Sequence, residues 1–231
     1  MTRVEENIIR LKEDVSHIRQ KLGRDPSEVT IVAVTKFASR ELIQQALERG
    51  ITDVGENKVQ EALKKYQDFK SSSGVLRRHM IGHLQTNKVK QALKIFDLIQ
   101  SVDSLRLARE LEQQAQILNR PVDILIQVNT SRERQKFGVD KSQALGLIQE
   151  VGRLKNLKVA GLMTMAPLTE DESTIGQCFR DLRKLYDRVR REFEGSPNIP
   201  MRFLSMGMSG DYGIALQEGS NMIRIGRAIF S

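Results

Sequence analysis

Short apolar runs alternate with helical patterns along the whole chain. VTIVAVTK (29–36) is apolar on both faces, as expected of a parallel strand covered on both sides. ITDVGE (51–56), RHMIGH (78–83), DLIQSV (97–102), DILIQVN (123–129), KVAGLMTM (158–165), RFLSMG (202–207) and MIRIG (222–226) follow, giving eight candidate strands. Helical stretches fall between them near 40–49, 57–69, 87–95, 104–118, 140–152, 172–194 and 211–217, and an extra helix near 3–22 comes first. The longest carries Ile175, Cys178, Phe179, Leu182, Leu185, Tyr186, Val189 and Phe193 at three- and four-residue steps, and Gly195 and Pro197 end it. SSSG (71–74) and GSPNIP (195–200) read as surface loops, not linkers.

Eight βα units without a break in composition predict one domain over residues 1–231, a closed (β/α)8 TIM barrel of the α/β class. A doubly wound open sheet is the other candidate. Its usual G-x-G-x-x-G signature is missing, because TKFASRE follows the first strand.

Composition narrows the class. Hydrophobic residues make up 39% and charged residues 29% of the 231, enough for a core and a well solvated surface. No apolar run approaches the roughly 20 residues of a membrane span. The N-terminus lacks the apolar block of a signal peptide, and the single cysteine, Cys178, allows no internal disulfide. A cytoplasmic, membrane-free protein is expected. The formal charge of +8 would suit nucleic acid or a phosphorylated ligand. The charges are scattered with mixed sign, and no aromatic stacking platform accompanies them, so nucleic acid is not expected.

Function in a (β/α)8 barrel sits where strands end. Strand one closes with Lys36, strand two near Glu56 and Asn57, strand three with His83. Strand six ends at Thr164 and Met165, strand seven runs into Ser205, Gly207, Ser209 and Gly210, and strand eight carries Arg224, Gly226 and Arg227. A lysine there can simply snorkel to water. If it points into the barrel, burial and a nearby cation would lower its pKa and free the amine to attack an aldehyde. SMGMSGDYG (205–213) and RIGRA (224–228) supply two glycine turns where this fold recurrently binds phosphate, although such glycines can also merely make tight turns. Arg224 shares parity with Gly226 and would point inward. It either pairs with a core carboxylate such as Glu56 or donates to a ligand. Against a pyridine ring it can only donate, so the ring nitrogen stays unprotonated. His79 and His83 lack the helical spacing of a zinc motif, so no metal is expected. His83 reads as a structural polar residue. Cys178 lies on an apolar stripe and reads as core.

Together, AVTKFAS around Lys36, GITDVGENKVQEAL (50–63), HMIGHLQTNK (79–88), QVNTSRERQKFG (127–138), GLMTMAP (161–167), FLSMGMSGD (203–211) and RIGRAIF (224–230) resemble the family of pyridoxal 5'-phosphate (PLP) homeostasis proteins, the YggS/PROSC type. This resemblance implies a barrel like that of alanine racemase and a Schiff base on Lys36. It implies phosphate near Ser209, Gly226 and Arg227, the pyridine nitrogen by Arg224, and Asn57 near the ring. Ser205 and Met206 would also line the pocket. Arg227 stands where such proteins often carry threonine, which points to a backbone contact. The family implies a carrier or buffer of PLP that influences vitamin B6 and amino- and keto-acid balance. No catalytic residue is assigned. The partners would be PLP itself and an apo-PLP enzyme or a regulatory protein, and the chain would act as a monomer. The alternative is a PLP-dependent racemase or decarboxylase. Such racemases take a second base from an additional β-domain and a partner subunit. The last strand ends at Gly226, which leaves no room for such a domain. Of Tyr66, Tyr186 and Tyr212, only Tyr212 is expected near the site. A cofactor-free Schiff-base aldolase suits Arg224 and the two glycine turns less well.

Overall fold

In the computed structural model, residues 1–66, 76–131, 133 and 136–231 are described. The strands are β1 (Thr30–Val34), β2 (Asp53–Glu56), β3 (Arg77–Met80), β4 (Leu98–Val102), β5 (Val122–Asn129), β6 (Val139–Asp140), β7 (Leu157–Met163), β8 (Phe203–Ser205) and β9 (Met222–Ile225). The helices are α1 (Arg3–Lys21), α2 (Arg40–Glu48), α3 (Val59–Tyr66), α4 (Val89–Ala92), α5 (Leu105–Ile117), α6 (Lys141–Val151), α7 (Glu172–Glu192), α8 (Tyr212–Gln217) and α9 (Arg227–Phe230).

Eight strands close a parallel barrel. The order β4-β3-β2-β1-β9-β8-β7-β5 returns on itself through the β4–β5 pair. The two-residue β6, which sequence periodicity does not signal, pairs outside the ring with the end of β5. The expected barrel and its extra N-terminal helix are therefore present. The stretch expected as a helix over 87–95 is instead a 3-10 turn at Thr86–Lys88 and the short α4. The SSSG loop and the end of the helix expected over 57–69 lie outside the described residues.

Alternation along each strand sorts side chains into two layers. Val32, Leu98, Leu125, Ala160, Met163 and Met222 form an apolar cluster inside the barrel. The opposite faces, with Val54, Ile99, Ile126, Leu162 and Leu204, pack under the helices. Cys178 joins that outer layer from α7, and burial pushes its thiol pKa up, as suits a core residue. A further cluster joins Val4, Ile8, Leu11 and Val15 of α1 to Ile223, Ile225 and Ile229. The Thr2–Glu5 capping box starts α1, and the Asn7 amide donates to the Ile229 and Ser231 carbonyls at 3.1 Å each. The added helix thus covers the β1–β9 closure and tethers α9.

The barrel is tight where β7 meets β8. A Cβ built on Gly161 would lie 1.9 Å from the Phe203 carbonyl oxygen, a backbone atom that cannot swing away. Gly161→Ala should therefore cost at least the ~1–3 kcal/mol of an overpacked core. A urea midpoint within error of the parent, at constant slope, would refute this account of the β7–β8 contact.

Candidate functional site

Barrel closure brings the ends of β2, β1, β9 and β8 side by side. Val34 pairs with Gly55, and Val32 pairs with Arg224. The Arg224 N–H donates to the Gly207 carbonyl at 2.9 Å. Lys36, Asn57, Gly226 and Gly207 consequently follow these pairs along one arc of the mouth.

Lys36 lies beyond its strand. β1 ends at Val34, and Lys36 opens the next turn with the inward parity of Val32 and Val34. Its side chain is exposed, with Nζ 4.9 Å from the centre of the Phe37 ring. The condition that the amine be buried is not met: the strand stops short, and the side chain stands at the solvent edge.

The turn itself is held from beneath. Lys65 Nζ donates to the carbonyls of Thr35 (2.7 Å) and Lys36 (3.2 Å) and to Glu56 Oε2 (3.1 Å). Glu56 is 1% exposed and also accepts from the Thr35 hydroxyl at 3.1 Å and the Asn57 N–H at 3.0 Å. The Tyr66 and Thr35 hydroxyls are 2.5 Å apart. The expectation that Tyr212 alone would lie near the site is thus corrected. Tyr66 reaches the residue before Lys36, because Val59, Ala62 and Tyr66 form the buried face of α3. Tyr212 instead donates to Asp14 of α1 at 3.1 Å.

Arg224 is inward and 4% exposed. It donates to Ser205 Oγ at 2.6 Å and to the Thr164 carbonyl at 2.7 Å. Glu56 is not its partner, because Lys65 occupies that carboxylate. Among the described residues Arg224 makes no ion pair. Burial lowers its pKa to about 10, against the more distant charge of Asp211, which acts to raise it. Burial likewise holds the Asp211 carboxyl above its ordinary range, opposed by the Met208 N–H and Arg224. A buried cation with two neutral acceptors, out of five N–H donors in all, still lacks an anionic or basic partner.

The remaining predicted residues divide. Ser205 is fully buried inside the barrel beside Arg224. Met206 has the opposite parity and packs in the outer layer, so any contact it makes with a ligand is restricted to its backbone. Ser209 and Gly226 meet at the start of α9, where Ser209 Oγ accepts the Ala228 N–H at 3.2 Å. The Arg227 side chain is exposed, in keeping with a backbone role. Asn57 is exposed at the mouth. Gly207 adopts φ +99°, and a Cβ there would lie 2.7 Å from that of Ala215, so the turn requires glycine. A Cβ on Gly210 would meet only open space. Strand three ends at Met80, short of His83, whose ring stacks on Phe137 with centroids 4.2 Å apart. Among the described residues no group of three or more His, Cys, Asp or Glu is placed to hold a metal.

A separate cleft of about 800 Å³, lined by Lys136, Lys141, Lys184, Arg188, Asp140 and Asp181, lies beside α6 and α7. None of the predicted residues lines it. Its cations are partly paired, as in Lys141–Asp181 at 2.8 Å. The buried, convergent groups around Arg224 are the stronger candidate.

Residues 7–231 match the family model for the alanine racemase N-terminal domain. A Pasteurella multocida protein named pyridoxal phosphate homeostasis protein is 36% identical over 227 residues, covering 98% of this chain and 96% of its own. An Aquifex aeolicus protein of the same name is 37% identical, covering 97% and 96%. The chain belongs to the pyridoxal phosphate homeostasis protein family. Among solved structures, PipY of Synechococcus elongatus with PLP bound superposes with a TM-score of 0.83 at 29% identity, covering 99% of this chain and all of the other. Alanine racemase of Clostridium difficile shares the fold, with a TM-score of 0.78 at 12% identity, and this chain spans 56% of it.

In this family member the Lys65–Glu56 pair has a measurable consequence. Lys65→Met would leave a buried carboxylate and two carbonyls without their cation. Lys65 is 16% exposed, so the loss should fall at the lower end of the range for broken buried pairs, about 3 kcal/mol in urea unfolding. Adding Glu56→Gln should restore part of it. Two losses that simply add would show that the residues do not act as a pair.

Proposed function

We propose that the chain binds PLP at the barrel mouth, with Lys36 forming the Schiff base, and that it carries or buffers the cofactor. The observation that carries this reading is Arg224: a buried guanidinium with no carboxylate in contact among the described residues, one strand away from the Lys36 turn. Such a group suits a ligand that offers an acceptor in the plane of a ring. It donates to the pyridine nitrogen and keeps a proton off it. Ser209, Gly226 and the first N–H groups of α9 lie beyond it, where the phosphate would sit. Ser209 would turn its hydroxyl from the Ala228 N–H to the anion. Asn57 flanks the ring, and Ser205 supports it through Arg224. Met206 and Arg227 contribute main-chain groups. The relatives' name and the PLP-bound PipY structure support the same reading.

PLP supplies an aldehyde that exchanges between amines and a ring that withdraws electrons. This chain's residues favour the first property over the second. Lys36 stands at the solvent edge, where a competing amine could reach a Schiff base held there. Arg224 opposes ring protonation and so weakens electron withdrawal. The tyrosines do not supply a convenient base. Burial pushes the Tyr66 pKa well above its ordinary value, and burial followed by the hydrogen bond to Asp14 pushes Tyr212 up to about 12. The carrier role is favoured over racemase or decarboxylase turnover on these grounds. An apo-PLP enzyme is the expected acceptor.

The purified protein should absorb near ~420 nm when loaded, and borohydride should fix PLP to the peptide containing Lys36. Lys36→Ala should lose that band yet retain some PLP through the phosphate contacts. Labelling at Lys58 or Lys65 would sink the assignment. Amino-acid turnover within the usual range of roughly 1–10³ s⁻¹ would replace the carrier role with an enzymatic one.

A further inference from the structure

The barrel interior holds polar side chains that the mouth does not use. Asp53, His79 and Gln100 are each 1% exposed or less, and they project inward from β2, β3 and β4. Burying three such groups is costly unless each is fully partnered. Their partners form a chain that ends at Arg224. Arg224 donates to Ser205 Oγ at 2.6 Å, and Ser205 donates to Gln100 Oε1 at 2.7 Å. Gln100 Nε2 lies 2.7 Å from His79 Nδ1 and directs a proton to Met222 Sδ at 3.3 Å. His79 Nε2 lies 2.9 Å from Asp53 Oδ1. Asp53 also accepts from Thr52 at 2.7 Å and pairs with Arg77 at 2.9 Å, at the opposite end of the barrel from Lys36.

The proton positions in this chain are coupled. Burial raises the Asp53 pKa, but His79, Thr52 and Arg77 together outweigh it and hold the carboxyl below its ordinary range. Asp53 is therefore an acceptor and fixes the imidazole proton on His79 Nε2. Nδ1 is then an acceptor and takes a proton from the Gln100 amide. The amide oxygen consequently faces Ser205 and takes the hydroxyl proton. With that proton taken by Gln100, the Ser205 hydroxyl is satisfied as a donor and its Oγ accepts from Arg224. With the amide reversed, Ser205 would meet donors on both sides and its own proton would have no acceptor in the chain.

We propose that Asp53, His79 and Gln100 are positioning residues that act through Ser205 to hold the Arg224 guanidinium at the floor of the site. Arg224 needs the relay to stay oriented, because its other acceptor is a single carbonyl. The consequence for cofactor chemistry rests on the PLP reading above: the relay sets how firmly Arg224 opposes protonation of the ring nitrogen.

Nitrogen-edited NMR of the apo protein and spectra of the PLP-loaded protein test this together. His79 in the wild type should carry its proton on Nε2. Gln100→Leu should speed exchange of the Arg224 guanidinium protons with water by roughly tenfold or more. The same variant should shift the absorbance maximum of bound PLP, while its dissociation constant changes less than about tenfold, because the phosphate contacts are untouched. Gln100→Glu should return Arg224 exchange toward wild type, since a carboxylate oxygen still accepts the Ser205 proton, while His79 takes a second proton on Nδ1 to donate to the other oxygen. A folded Gln100→Leu with wild-type Arg224 exchange and spectrum overturns the proposal. Equal changes of Arg224 exchange in the Leu and Glu variants do so too, because packing alone would then explain them. If Gln100→Leu does not fold, the wild-type tautomer decides: a proton on His79 Nδ1 reverses the chain and overturns it. A wild type that takes up no PLP, while Arg224 exchange still responds to Gln100→Leu, sinks the cofactor reading and leaves the relay standing.

Discussion

Arg224 keeps a charge inside a parallel barrel with no carboxylate in contact among the described residues. Desolvating a guanidinium costs several kcal/mol, and neutral acceptors offset only part of that. The surrounding structure is arranged to accept the remainder. Thr164 and Ser205 take two of the N–H groups, and the field of Asp211 reaches a third side of the problem from the start of α8. The two buried carboxylates of β2 are both committed elsewhere, Glu56 to Lys65 and Asp53 to His79 and Arg77. That division leaves the cation free to meet a ligand, which a salt bridge to Glu56 would have prevented.

Two carboxylates at opposite ends of β2 therefore do different work. Asp53 starts a hydrogen-bond chain that crosses the barrel and ends at Arg224. Glu56 anchors Lys65, which ties down the carbonyls of Thr35 and Lys36. One fixes the floor of the site, the other fixes the turn that bears the amine. Both rely on the placement of β2, since the Asp53–His79 contact needs its register with β3 and the Glu56–Thr35 contact its register with β1.

The barrel is legible in the sequence because parallel strands buried on both faces leave long apolar runs, as in DILIQVN and KVAGLMTM. The ends of elements are less legible. Lys36 continues the alternation of VTIVAVTK, so periodicity alone counts it in the strand, whereas hydrogen bonding stops at Val34. Met206 is adjacent to Ser205 in sequence but faces the helices, a distinction that parity supplies only once the strand is fixed. Parity also made Arg224 legible as an inward residue. The relay is less legible: Asp53, His79 and Gln100 lie on three strands, and nothing local in TDV, RHM or LIQ tells which polar groups meet. The inward spacing of each is the only trace, and it gains meaning only when the barrel closes. Tyr66 and Lys65 were similarly concealed, because their partner, Thr35, lies some thirty residues away.

A buried, hydrogen-bonded floor beneath an exposed amine fits a molecule that must hold a cofactor and give it up. A catalytic lysine gains from burial, which frees its amine and excludes competing nucleophiles. The Lys36 side chain is exposed instead, with its Nζ over the exposed ring of Phe37. Affinity in the proposed role would come from the phosphate turn and from Arg224, which stay in place whether or not the covalent link is made. The link itself would then be broken by any amine that arrives from solvent, without disturbing the contacts below. Separating the reversible bond from the groups that supply affinity would let retention and release be set independently, and in the proposed site the two would have separate supports: the turn hangs from Lys65, the floor from Asp53.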